Sequence, residues 1–168
     1  MKNKKELFQA PLIEISSDAV DEIKRHVAAC PDHETGGILL GHSASEEKKI
    51  VEMATGPGPK ALHSKRYFVR DTSYCQSVYE RHFYQNGWEY IGDWHSHTRC
   101  HAFRGLPLEC PNFPSAGDVM TLDAVLHDKD YDFDAFLMLL ALPSRSGINI
   151  KVYVEKREGI CEVPYVVV

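Results

Sequence analysis

Residues 133–142 read Phe-Asp-Ala-Phe-Leu-Met-Leu-Leu-Ala-Leu, an almost continuous apolar run. A strand of this kind has no polar face to give to water, so it has to be covered on both sides. It therefore predicts a central strand, with helices or further strands supplying the cover. At about ten residues the run is too short to cross a bilayer, so it implies a core and no membrane span. A chain of 168 residues can bury about 70% of its unfolded surface, enough for one domain over 1–168 without disulfide staples.

The other elements follow from periodicity and breakers. Leu12 to Ile15 alternates apolar and acidic residues and predicts a short edge strand. Asp18 is placed to cap a helix with Val20, Ile23 and Val27 at helical spacing, ended by Pro31-Asp32. Gly36 to Gly41 predicts a buried strand, Ser43 to Glu47 a turn, and Lys49 to Thr55 a returning strand. Gly56-Pro57-Gly58-Pro59 marks a loop. Arg66 to Arg70 predicts a strand and Thr72 to Gln85 a helix closed by Asn86-Gly87. Tyr74, Tyr79, Phe83 and Tyr84 fall at helical spacing and are expected in the core, as are Cys30 and Cys75. Glu89 to His97 is a strand, 98–114 a long loop, and Ser115 opens a helix with Val119, Leu122 and Leu126. Pro143 to Gly147 turns the chain, and strands over Ile148 to Val154 and Val163 to Val168 finish it. Many strands between few helices predict an α+β (mixed α/β) layer architecture rather than a doubly wound sheet.

Nine histidines in the chain direct attention to metal and proton chemistry. In Asp93-Trp94-His95-Ser96-His97 the two histidines sit two apart on a strand, so they share a face roughly 6.5 Å apart along it. They can point at one ion, with Ser96 facing the other way. Asp118, in the first turn of the helix that Ser115 caps, is the best third ligand, which leaves a fourth position for water. Ser115 beside it can donate to a developing oxyanion. Glu34, before Thr35-Gly36-Gly37, is the candidate proton acceptor, and the glycines there allow close approach of a strand or substrate. Asp93 shares the strand face and is a rival ligand or a support for the ligands, and His33 adjoins Glu34 and can tune it. Neither His-x-His nor Ser-x-x-Asp is specific alone. Their order and their context carry the weight.

This combination of a glutamate, then His-Ser-His, then Ser-x-x-Asp resembles the JAMM (MPN+, JAB-domain) zinc metalloproteases. The helix before Glu-Thr-Gly-Gly-Ile-Leu-Leu-Gly, the strand ending Gly-Asp-Trp-His-Ser-His and the Pro-Ser-x-x-Asp helix are similar to the bacterial branch, over roughly Ile13 to Val154. The resemblance extends to the deubiquitinase-like members found in bacterial ubiquitin-like conjugation operons. It implies a single JAMM/MPN-like domain whose central curved mixed sheet is flanked by about three helices. It also implies one catalytic zinc on His95, His97 and Asp118, with Glu34 and Ser115 as the catalytic pair. The reaction implied is hydrolysis of the bond after the C-terminus of a ubiquitin or ubiquitin-like protein, with ubiquitin-activating and ubiquitin-conjugating homologues as partners in an antiphage-defence setting. The family usually has a proline after the second histidine and a shorter loop before the serine. Here Thr98 stands in that place and seventeen residues intervene. This insertion, 98–114, is expected to shape substrate choice, to cover the metal or to displace Asp118.

Two other readings keep part of this picture: a non-catalytic MPN-like module that binds a ubiquitin-like partner, and a metallopeptidase acting on a sulfur-carrier-protein adduct. Non-catalytic members of the fold usually lack the metal ligands, all of which are present here. Cys100, His101 and Cys110 fall inside the insertion, but their spacing is not that of a zinc finger and a fourth ligand is missing. The odd set of five cysteines favours reduced thiols. A net charge of −5 implies no broad basic surface for nucleic acid. The basic start leads into Glu6 and Gln9 without an apolar secretory segment, which predicts a cytoplasmic protein.

Overall fold

Strand β7, Phe136–Ser144, is buried from Phe136 to Leu142. It lies between β6, Glu89–Ser96, which runs parallel to it, and β8, Gly147–Lys156, which runs antiparallel. The computed structural model describes residues 11–45, 48–65, 67–98, 114–127, 135–144, 146–156 and 159–168. The start of the apolar run at 133–134 and most of the 98–114 insertion, with Cys100, His101 and Cys110, lie outside the described residues.

Alternation along β7 divides the core in two. Leu137, Leu139 and Ala141 enter a cluster with Trp94 and with Val20, Ile23 and Val27 of helix α1, Ser17–Ala29. Phe136, Met138, Leu140 and Leu142 face the opposite way and meet Leu126 of helix α3, Ala116–Leu126. On that second face helix α2, Thr72–Asn86, places Cys75 and Val78 over Ile38 and Leu40. Both faces of the central strands are therefore covered, as their composition demands.

The remaining strands are β1 (Leu12–Ile15), β2 (Gly36–Ser45), β3 (Lys48–Ala54), β9 (Gly159–Val163) and β10 (Tyr165–Val167). Among the described residues the main sheet has eight strands in the order β10-β1-β3-β2-β6-β7-β8-β9. It is mixed, with β1 parallel to both β10 and β3, and β6 parallel to β7. A separate ribbon pairs β4 (Leu62–His63) with β5 (Phe68–Val69). The α+β class and the three helices among the described residues agree with the sequence reading.

Several local expectations need correction. Leu12–Ile15 is not an edge strand, because the far end of the chain pairs outside it, Ile13 opposite Tyr165. Helix α1 is capped by Ser16, whose hydroxyl accepts from the Ala19 N–H, and Asp18 sits in the first turn. Cys30 is the C-cap of that helix rather than a packing residue on it. The strand foreseen over Arg66 to Arg70 is only Phe68–Val69 among the described residues. Pro143 and Ser144 remain in β7, and Val163 to Val168 is two strands separated at Pro164, which has no N–H to continue a ladder. Of the aromatic residues on α2, Tyr74 and Tyr79 pack on the core, whereas Tyr84 and Phe83 are exposed.

No helix among the described residues is long and apolar enough to cross a membrane. Leu139 is fully buried at the centre of this arrangement. Leu139→Ala should cost about 2–5 kcal/mol through lost burial and the cavity left behind. Urea unfolding is expected to show this as a lower midpoint at unchanged slope.

Candidate metal centre

Strand β6 sets the geometry. Trp94 is buried against α1, with its indole N–H donating to the Thr55 carbonyl (2.8 Å), and Ser96 is buried too. The residues that alternate with them, Asp93 and His95, face a groove on the α2/α3 side, and His97 follows just past the strand end. The His97 N–H donates to the Ala141 carbonyl (3.2 Å), so pairing with β7 still holds the backbone there.

His95 Nε2 and His97 Nε2 lie 3.3 Å apart. Asp118 Oδ1 is 3.4 Å from His95 Nε2, and Oδ2 is 3.5 Å from His97 Nε2. Ligands about 2.0–2.1 Å from a tetrahedral centre are separated by about 3.3–3.4 Å. Two imidazole nitrogens and a carboxylate thus form a set whose spacing and chemistry suit a divalent ion. Among the described residues this is the one such cluster of histidine, cysteine, aspartate or glutamate.

Helix α3 delivers the carboxylate through its own start. Ser115 is the N-cap, its Oγ accepting from the Asp118 N–H (3.2 Å), while Asp118 Oδ2 accepts from the Ser115 N–H (2.6 Å). This capping box fixes the Asp118 rotamer, and the helix N-terminus favours its negative charge. Burial alone would raise the Asp118 carboxyl. The imidazoles of His95 and His97 and the bond to Ser115 outweigh that and hold it well below the usual carboxylate range. The insertion therefore does not displace Asp118.

Glu34 sits half-buried in the loop before β2 and lines the same cavity of about 710 Å³, with His95, His97, Ser115 and Asp118. Burial raises its carboxyl most, and the charge of Asp118 adds to this, against the pull of His97 and His95. A raised carboxyl beside a depressed one is the division of labour expected of a proton acceptor and a ligand. The following glycines serve strand packing. A Cβ on Gly37 would lie 2.2 Å from the Thr55 carbonyl oxygen and one on Gly36 would lie 2.3 Å from that of Trp94.

Other groups here were not legible in the sequence. The Glu34 N–H donates to the Ser64 carbonyl (2.7 Å), and the Glu34 carbonyl accepts from His63 Nδ1 (2.9 Å). His63, with no histidine beside it in sequence, thus neighbours Glu34 in space, whereas His33 is exposed. Asp93 is neither a ligand nor a support for one, because its Oδ1 accepts from Arg70 Nη1 (2.5 Å) and from the Tyr90 hydroxyl (2.9 Å). Tyr90 shares that face only because pairing with β2 skips Ile91, opposing Leu39 to Gly92 and Leu40 to Tyr90. The bulge reverses the alternation that the sequence implies.

A family model described as prokaryotic homologs of the JAB domain matches residues 16–104. A curated relative, "Probable metalloprotease y4qB" of Sinorhizobium fredii, is 30% identical over 88 residues, covering 51% of this chain and 54% of the relative. The chain thus spans about half the length of that relative. The solution structure of protein DSY2949 from Desulfitobacterium hafniense superposes with a TM-score of 0.67 at 20% identity, covering 93% of this chain and 92% of that one, a likeness of fold alone. The family match contains Glu34, His95 and His97 but ends before Ser115 and Asp118. Those two residues rest on the geometry above.

Elemental analysis of protein purified without chelator should find about one divalent ion per chain, falling to near zero in His97→Ala and in Asp118→Asn. Asp118→Asn should keep helix α3, so circular dichroism is expected to stay unchanged while the ion is lost.

Proposed function

The chain belongs to the prokaryotic homologues of the JAB domain, and from that membership we propose a zinc-dependent peptidase that hydrolyses the bond after the C-terminus of a ubiquitin or ubiquitin-like protein. The observation that carries this reading is the convergence of His95, His97 and Asp118 in one groove with Glu34, a half-buried carboxylate whose proton affinity is raised. A binding module has no use for that combination, which supports an enzyme.

His95, His97 and Asp118 would hold the ion; when bound, it supplies Lewis-acid chemistry, acidifying water and polarising the scissile carbonyl. Glu34 accepts the proton of the attacking water and then delivers it to the departing amine, a lysine side chain or a peptide nitrogen. A carboxyl raised by burial suits both halves of that cycle, since it takes the proton readily and keeps it until the amine leaves. Ser115 Oγ already accepts from the Asp118 N–H. Its O–H therefore remains as the donor for the oxyanion.

The groove, about 710 Å³, is the place for an extended tail in this reading. Tyr67, Phe68 and Val69 line one side and Thr98, Gly117 and Thr121 are among the residues that complete it. Strand β5 pairs only with β4 among the described residues. A substrate tail laid along its other edge would gain main-chain hydrogen bonds and reach His95 and His97. Activating and conjugating homologues of the ubiquitin pathway are the partners this substrate requires, in a cytoplasmic conjugation system of the antiphage type.

Glu34→Gln should retain the ion and the fold and lose about 10²–10⁴-fold in turnover. The assay compares ubiquitin-like fusions with a carrier-protein–cysteine adduct, the latter testing for a sulfur-carrier peptidase. Near-normal cleavage by the variant would sink the assignment of Glu34.

A further inference from the structure

We infer that Ser96, the residue between the two histidines, is a positioning residue that fixes Glu34 against the metal-ligand pair. The inference rests on Glu34 being the proton acceptor proposed above.

Ser96 makes two bonds to one residue. Its N–H donates to the Thr35 carbonyl (2.7 Å), and its Oγ accepts from the Thr35 N–H (3.1 Å). Both residues are almost fully buried, Ser96 at 2% and Thr35 at 1% exposure. Gly36 opposite His95 is the last pair of the β2–β6 ladder. One step further, an antiparallel ladder would have the Thr35 N–H donate to a main-chain carbonyl of β6. The Ser96 hydroxyl takes that bond instead, the ladder ends, and the chain leaves the sheet at Thr35 with Glu34 turned into the groove. The main chain of Glu34 itself is held by Ser64 and His63. Four consecutive main-chain groups around Glu34 are therefore satisfied, two by the β4–β5 ribbon and two by Ser96.

The consequence is a direct mechanical link. The neighbours of Ser96 are ligands and its own side chain holds the loop of the base, so one short segment sets the separation of the two. Removing the hydroxyl leaves the Thr35 N–H without a partner in a site closed to water. A buried donor in that state draws the backbone toward another acceptor. A misplacement of about 1 Å in a catalytic group costs about 10²-fold in rate.

The test compares Ser96→Ala with Ser96→Thr, which keeps an acceptor oxygen and suits a strand. In the metal-free protein, hydrogen exchange at the Thr35 amide should rise at least about tenfold in Ser96→Ala, while the His97 amide, bonded to Ala141, stays protected. With the ion bound at wild-type stoichiometry, kcat on ubiquitin bearing a C-terminal aminomethylcoumarin amide should fall about 10–100-fold in Ser96→Ala. KM should stay within about twofold, and Ser96→Thr should recover most of the loss. Wild-type protection at Thr35 in Ser96→Ala, or faster exchange with unchanged kcat, overturns the inference. Equal turnover by wild type and Glu34→Gln would instead overturn the role of Glu34, which the exchange measurement does not touch.

Discussion

The alternation of one buried strand underlies both halves of this protein. Strand β6 is flanked by β2 and β7, and its register is fixed by Leu39 opposite Gly92 and Trp94 opposite Leu139. A slip of one residue would exchange the two faces, sending Trp94 into the groove and His95 into the α1 core. The hydrophobic burial that stabilises the sheet is thus the same quantity that aims the histidines. Close packing enforces it, since Gly36 and Gly37 leave no room for a Cβ beside Trp94 and Thr55.

Much of this could be read from sequence because it depends on short spacings. His95 and His97 share a face through strand periodicity, and Ser115 with Asp118 forms a capping box through helix periodicity. The central position of β7 followed from its apolar composition. What escaped depends on pairings between distant segments. No local pattern says that Tyr165 lies beside Ile13, or that Arg70 lies beside Asp93, because those neighbours are chosen by the sheet order. The same limit hid Ser96. Its direction away from the histidines was legible, but its partner, Thr35, stands 61 positions earlier. The bulge at Ile91 is a further case, since it reverses a periodicity that the sequence alone continues.

Among the described residues the groove holds three carboxylates, and their differing surroundings separate their roles. Asp118 has two imidazoles and a helix start around it, so it stays ionised and suits the ligand position. Asp93 lies two residues from His95 on the same face and would compete for an ion if it were unpaired. Arg70 prevents this. Burial would weaken the guanidinium charge, but Asp93 and the Tyr90 hydroxyl hold it protonated, and a bonded Arg–Asp pair has little charge left for a cation. Among the described residues Glu34 has neither a cation bonded to it nor a helix end, and burial keeps its proton affinity high. In the proposed reaction, chemically equivalent side chains are thereby suited to holding an ion, to packing with an arginine and to moving a proton. A further constraint follows for the loop of Glu34: a carboxylate without strong partners among the described residues depends on its backbone for placement. The bonds from Ser64, His63 and Ser96 to that backbone supply the placement that the side chain, to remain reactive, cannot provide for itself.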